Sequence, residues 1–126
     1  MRFLFVFAAA LVACTPKEPV EIGASCSVGD KIEACGTGKL AVCVRGKWEQ
    51  SLICPDGCVR KTIGHGSTAP ICETAVARED MVCTLAMSHI CSEDGHAQLV
   101  CKGGRWKTQK PCATPCTFPK TGIVCD

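Results

Sequence analysis

The chain has 126 residues, enough for one small domain or two very small ones. Its 13 cysteines are a larger share of the chain than the roughly 8–10% that marks a disulfide scaffold in a short secreted chain. Tyrosine is absent, and only Trp48, Trp106 and Phe118 supply aromatic rings beyond residue 7, which excludes a large aromatic core. The net charge of +2 gives no strong attraction to nucleic acid, and no nucleic-acid or nucleotide-binding motif occurs.

The beginning of the chain has the pattern of a secretory signal. Arg2 gives it a positive start, and residues 3–12 form an apolar run. This run is shorter than the roughly 20 residues that a membrane-spanning helix needs, and it fits the roughly 7–15 residues of a signal peptide. The following Leu11-Val12-Ala13-Cys14 resembles the lipobox of bacterial lipoproteins.

This resemblance implies that residues 1–13 are removed and that Cys14 becomes lipidated with two or three acyl chains, such as palmitate. Several chains together anchor a protein stably, whereas one chain binds a membrane only marginally. The proline-containing residues 14–25 are then expected to form an extended tether. Thr15 stands where an Asp marks inner-membrane retention in enteric lipoproteins, so we expect the outer membrane of the cell envelope. The alternative is an ordinary signal peptide cut near Ala10, giving a periplasmic or extracellular protein.

Beyond Cys14 the cysteines form two sets of six, which predicts tandem repeats at residues 26–72 and 83–126. Residues 43–58 and 101–116 both read C-x2-G-[KR]-W-x5-C-x3-C. An even number of cysteines in an exported chain can close completely into disulfides, although the sequence leaves their pairing open. These cysteines are Cys26, Cys35, Cys43, Cys54, Cys58, Cys72, Cys83, Cys91, Cys101, Cys112, Cys116 and Cys125.

Each repeat carries the signal of a β-hairpin. Residues 39–44 and 97–102 are β-type runs that enter glycine-containing turns and return through a tryptophan. With a preceding strand, each repeat becomes a three-stranded meander. We therefore predict a small, disulfide-rich, mainly β fold of two tandem meander modules with loop-rich C-terminal halves.

The hairpin register places one cysteine opposite each tryptophan. A two-residue turn sets Cys43 opposite Trp48 and Cys101 opposite Trp106, so each ring should pack over a disulfide. The alternative is that these rings are exposed and stack on a sugar or a peptide. The C-x2-G-x-W-x5-C segment also resembles the closing stretch of sushi modules. That resemblance implies pairing of the first cysteine with the third and of the second with the fourth.

Residues 73–82 separate the repeats and contain no cysteine, glycine or proline. They are expected to form a solvated linker or one or two helical turns. Helix is favoured because Ala, Glu and Arg are good helix formers.

The widest gap between cysteines contains the segment IGHGST at residues 63–68. His65 and Ser67 have no matching acidic partner, so the segment is predicted to be a mobile glycine-rich loop and not a catalytic site. It is a candidate contact loop. A second hypothesis makes residues 59–71 the reactive loop of a secreted protease inhibitor.

Zinc is a third possibility, because Cys54/Cys58 and Cys112/Cys116 have the C-x3-C spacing of some zinc ligands. Export favours disulfides instead, and no cofactor or metal is expected.

The sequence therefore predicts a non-catalytic binding or interaction module of the cell envelope. Its expected partners are the membrane, through the lipid, and an unidentified protein or glycan.

Overall fold

The computed structural model describes residues 17–27, 32–116 and 123–126, and within them the chain forms nine β-strands. The expected signal peptide and Cys14 lie outside the described residues. No helix in the described part of the chain is long and apolar enough to cross a membrane. The strands are β1 (Glu33–Gly36), β2 (Lys39–Val44), β3 (Lys47–Ile53), β4 (Cys58–Gly64), β5 (Ser67–Cys72), β6 (Val76–Ala77), β7 (His89–Ser92), β8 (Ala97–Lys102) and β9 (Arg105–Pro111).

Both predicted meanders are confirmed, and they join into one sheet. The sheet order is β1-β2-β3-β6-β7-β8-β9, with β4 and β5 forming a separate hairpin. All neighbours in the meanders are antiparallel, while the short β6 pairs antiparallel with β3 and parallel with β7. The two repeats therefore share a continuous hydrogen-bonded sheet.

The turns that close the two central hairpins are the two-residue turns that the sequence predicts. Val44 lies opposite Lys47 across the first turn, and Arg45 and Gly46 have φ values of 50° and 79°. Positive φ at both central residues is the type I′ geometry, whose twist matches that of the flanking strands. In the second repeat Gly103 and Gly104 occupy the equivalent positions, with φ values of 63° and 77°.

The disulfides follow the same order in both repeats. The first cysteine pairs with the third, the second with the fifth, and the fourth with the sixth. The sushi-like expectation is therefore right for the first pair and wrong for the second. The bridges are Cys26–Cys43, Cys35–Cys58 and Cys54–Cys72, then Cys83–Cys101, Cys91–Cys116 and Cys112–Cys125.

Residues 73–82 differ from the expected linker. They contain β6 and no helix, and Ala77 is completely buried. The helix expectation fails because the sheet edge of β7 offers backbone partners, such as the bond from the Glu93 N–H to the Ala77 carbonyl. Propensity is a weak prior that tertiary pairing overrides.

The part of the expected tether that is described, residues 17–25, also packs onto the sheet. Gly23 donates to the Trp48 carbonyl and Trp48 donates to the Ala24 carbonyl, each within 2.9 Å. In the second repeat Asp80 and Met81 make the matching pair of bonds with Trp106. Each repeat therefore begins with a segment that runs beside its third strand, upstream of its first cysteine.

Two small apolar clusters form the core, one in each repeat. The first contains Trp48 with the Cys26–Cys43 bridge, and the second contains Trp106 with the Cys83–Cys101 bridge. The predicted cross-strand pairs, Cys43 with Trp48 and Cys101 with Trp106, are present. The prediction that each ring packs against a disulfide is confirmed.

Candidate functional site

A concave surface that combines both repeats lies beside the tips of the two central hairpins. We call it the Arg105 groove; its volume is about 480 Å³. Pockets of roughly 300–1,000 Å³ are typical of small-ligand sites, which often form where domains meet. The groove is lined by Ile22, Gly23, Val44, Arg45, Lys47, Trp48, Glu49 and Arg105.

Arg105 is the single contribution of the second repeat to this lining. The Gly103-Gly104 turn places it at the start of β9, opposite Lys102. One guanidinium nitrogen lies 3.6 Å from Oε2 of Glu49, and another donates to the Asp80 carbonyl at 3.3 Å. The guanidinium group therefore spans the junction between the repeats.

Glu49 provides an acceptor in the groove. Its Oε2 atom is shielded from solvent and makes no hydrogen bond within the described residues. The separation from Arg105 is too long for a hydrogen bond, so this oxygen keeps its capacity to accept a hydrogen bond from a hydroxyl group.

A smaller cavity of about 210 Å³ continues from the groove between the repeats. It shares Val44, Arg45 and Arg105 with the groove and has predominantly apolar walls, to which Val42 and Val82 contribute. Together the two spaces combine aliphatic walls with a charged rim. This arrangement suits a ligand that has both hydroxyl groups and apolar C–H faces.

Neither tryptophan offers the exposed ring that the stacking alternative requires. Trp48 and Trp106 are each only 5% exposed. Trp48 contributes to the groove lining, and Trp106 lies in the second cluster. The burial alternative is the correct one, because each ring fills the small core of its repeat.

The predicted loop around His65 is instead the tip of a hairpin. Val59 lies opposite Ile71 and Thr62 opposite Thr68, and His65 follows Gly64 with a φ of 44°. The expectation of a loop-rich C-terminal half is therefore wrong for the first repeat, where the segment forms two paired strands. His65 is exposed and lies apart from the groove lining.

Three cysteine sulfurs come together in the second repeat, those of Cys112, Cys116 and Cys125, all within 4.8 Å of one another. Each is already bridged, Cys112 to Cys125 and Cys116 to Cys91. Zinc is bound by thiolates, so these bridged sulfurs do not fit a zinc site. The same is true of Cys54 and Cys58, which belong to different bridges.

Sequence reasoning did not identify Glu49 or Arg105 as site residues. The sequence indicates the turn before Arg105, but it does not show that this turn lies beside the first repeat. That proximity depends on the pairing of β6 with both repeats.

Residues 7–64, somewhat under half of the chain, match the family model described as carbohydrate binding domain (family 19). The matched stretch contains every residue of the groove lining except Arg105. No curated protein and no solved structure matches this chain. The comparisons thus point to a non-catalytic binding domain without giving a whole-chain relative.

Proposed function

We propose that the protein is a non-catalytic carbohydrate-binding module held at the cell envelope by lipid on Cys14. The observation that carries the proposal is the match of residues 7–64 to a carbohydrate-binding family model. Because that match contains almost the whole groove lining, the Arg105 groove is the proposed binding site.

The chemistry of the groove supports a sugar ligand. Arg45, Lys47 and Arg105 place donor groups around it, and Glu49 supplies an acceptor. Ile22 and Val44 offer aliphatic surface for the C–H face of a sugar ring. Since both tryptophans are buried, recognition in this groove depends on hydrogen bonds and aliphatic contact.

The proposed lipid would hold this site close to a membrane. Cys14 stands only four residues before Glu18, where the chain is already bound to the folded domain. Fully extended chain spans about 3.5 Å per residue, so the tether reaches roughly 14 Å. The glycan would then be one that lies near the membrane surface.

The test uses the full chain extracted in detergent and a panel of polysaccharides: β-glucan, xylan, peptidoglycan and polygalacturonate. We expect selective retention on at least one polymer, and loss of retention after the disulfides are reduced and alkylated. Equal and negligible retention on every polymer would overturn the carbohydrate proposal. Intact mass of the same preparation tests the lipid independently, because acylation of Cys14 adds the mass of its acyl chains.

A further inference from the structure

The hairpin β4–β5, which is separate from the seven-stranded sheet, carries exposed aliphatic side chains. Val59 is 46% exposed and Ile63 is 65% exposed. Strand alternation places Val59 and Lys61 on the face opposite Arg60. Ile63 falls at the register shift between Thr62 and Gly64, and bulges of this kind redirect a side chain.

This element is firmly held at its base. Cys58 begins β4 and is bridged to Cys35 of β1, while Cys72 ends β5 and is bridged to Cys54. The corresponding interval of the second repeat, between Cys116 and Cys125, has eight residues, against thirteen between Cys58 and Cys72. The segment that forms the hairpin is therefore longer in the first repeat.

The start of the described chain is fixed to this same hairpin. One carboxylate oxygen of Glu18 accepts a bond from Nε of Arg60, and the other accepts the backbone N–H of Cys35. Both side chains of the ion pair are largely buried, at 18% exposed for Glu18 and 23% for Arg60. Glu18, close to the start of the described chain, thus lies beside β4.

Two short distances follow from this contact. Cys14 lies at most about 14 Å from Glu18 along extended chain. Ile63 lies three residues beyond Arg60, which is roughly 10 Å along a strand. A lipid on Cys14 would therefore keep the hairpin tip within about 24 Å of the anchored residue, and a tether that runs along β4 towards the tip would bring the tip to the bilayer surface.

We propose that β4–β5 is a membrane-contacting hairpin whose Val59 and Ile63 side chains enter the interfacial region of the bilayer. The inference rests on the proposed lipid at Cys14. Aliphatic side chains that leave water at this interface add to membrane binding in proportion to the area buried. Lys61, already half-exposed in its ion pair with Glu73, can keep its ammonium group at the headgroup level. Contact with lipid also covers an exposed strand surface that otherwise invites aggregation.

The test introduces a fluorescent reporter at the hairpin tip, Ile63→Trp, in the full acylated chain reconstituted into phospholipid vesicles with brominated acyl chains. The control is Gln109→Trp, an exposed strand position on β9 at the opposite edge of the sheet. Subtracting the wild-type spectrum removes the signal of the native tryptophans. We expect a blue-shifted emission and loss of most of the added fluorescence for Ile63→Trp, while Gln109→Trp keeps its emission.

Val59→Trp is a second reporter on the same hairpin, which keeps the proposal testable if Ile63→Trp does not fold. Non-reducing peptide mapping, which identifies the disulfide pairs, shows which variants have the native bridges. If both hairpin reporters remain unquenched in a chain whose mass shows acylated Cys14, the hairpin proposal is wrong while the anchor stands. If the mass shows no acyl chain, the anchor is wrong and the hairpin proposal fails with it. Polysaccharide retention is scored separately and is unaffected by either outcome.

Discussion

The indole Nε1 of Trp106 donates a hydrogen bond of 3.0 Å to the main-chain carbonyl of Ser51, 55 residues earlier in the chain. The hydroxyl of Ser51 in turn donates to the Val82 carbonyl at 2.8 Å. Leu52 then packs against the cluster of the second repeat. The duplicated units are therefore joined through buried polar and apolar contacts, and we expect them to unfold together.

The first prediction concerns that bond. Trp106→Phe keeps an aromatic ring but leaves the buried carbonyl of Ser51 without this donor, which costs about 1–3 kcal/mol of unfolding free energy. Trp48→Phe removes the same part of an equally buried ring, and within the described residues no hydrogen bond joins its indole to the other repeat. Guanidinium unfolding with the disulfides intact should show a lower midpoint for Trp106→Phe than for Trp48→Phe. Equal midpoints would show that this hydrogen bond does not contribute to joining the repeats.

The sequence predicts the local parts of this fold well. The Arg45-Gly46 and Gly103-Gly104 turns, the register that follows them and the Cys–Trp pairs all depend on residues close together in the chain. The turn residues determine φ at the two turns, and the two-residue period of a strand determines which side chains share a face of the sheet. Patterns of neighbouring residues are therefore enough to predict these features.

The parts that the sequence does not predict are long-range. Residues 73–82 are expected to be helical by composition, but Asp80 and Met81 bond to β9 in the way that Gly23 and Ala24 bond to β3. The sequence alone presents residues 14–25 as a tether. The pairing of Cys35 with Cys58 likewise depends on how the hairpin β4–β5 folds back on β1. The Arg105 groove needs both repeats in place, which no local pattern encodes.

The second prediction concerns the attachment of the N-terminal segment. Glu18→Gln keeps the shape of the side chain but weakens two charge-assisted hydrogen bonds, to Arg60 and to the Cys35 N–H. Such bonds are worth about 1.5–3 kcal/mol each in buried settings, so local release should become at least tenfold more frequent. Limited trypsin digestion should cut faster after Lys17.

A matched control for this variant is Glu21→Gln, an exposed carboxylate in the same segment. It should leave the cleavage rate after Lys17 unchanged. Acceleration of the same size in both variants would mean that charge alone, and not the Glu18–Arg60 contact, protects the segment.

The third prediction tests the proposed sugar site. Glu49→Gln replaces a charged acceptor with a weaker one and loses the ion pair to Arg105, so polysaccharide affinity should fall about tenfold, as for one charge-assisted hydrogen bond. Glu73→Gln is the control, because Glu73 also forms an exposed ion pair, with Lys61, outside the groove. Affinity electrophoresis on the retaining polymer compares the two variants. Undiminished polysaccharide affinity of Glu49→Gln would show that the sugar does not bind in the Arg105 groove.

The fourth prediction concerns the turn between β7 and β8. The Ser92 hydroxyl donates to the Asp94 carboxylate at 2.7 Å and the His96 N–H donates to the same oxygen at 2.9 Å. These bonds favour the charged form and hold the pKa of Asp94 below its ordinary value, with the hydroxyl the larger cause.

Because this pKa is depressed in the folded state, the contribution of Asp94 to stability is present above the pKa of an unfolded chain. It is lost as the pH falls through the lower folded value. Titration of the carboxyl carbon by NMR should therefore give a midpoint below that of a free Asp side chain, and Ser92→Ala should raise it. Asp94→Asn should remove this part of the acid dependence. A wild-type midpoint at or above the ordinary value would show that the turn does not hold the carboxylate in this way.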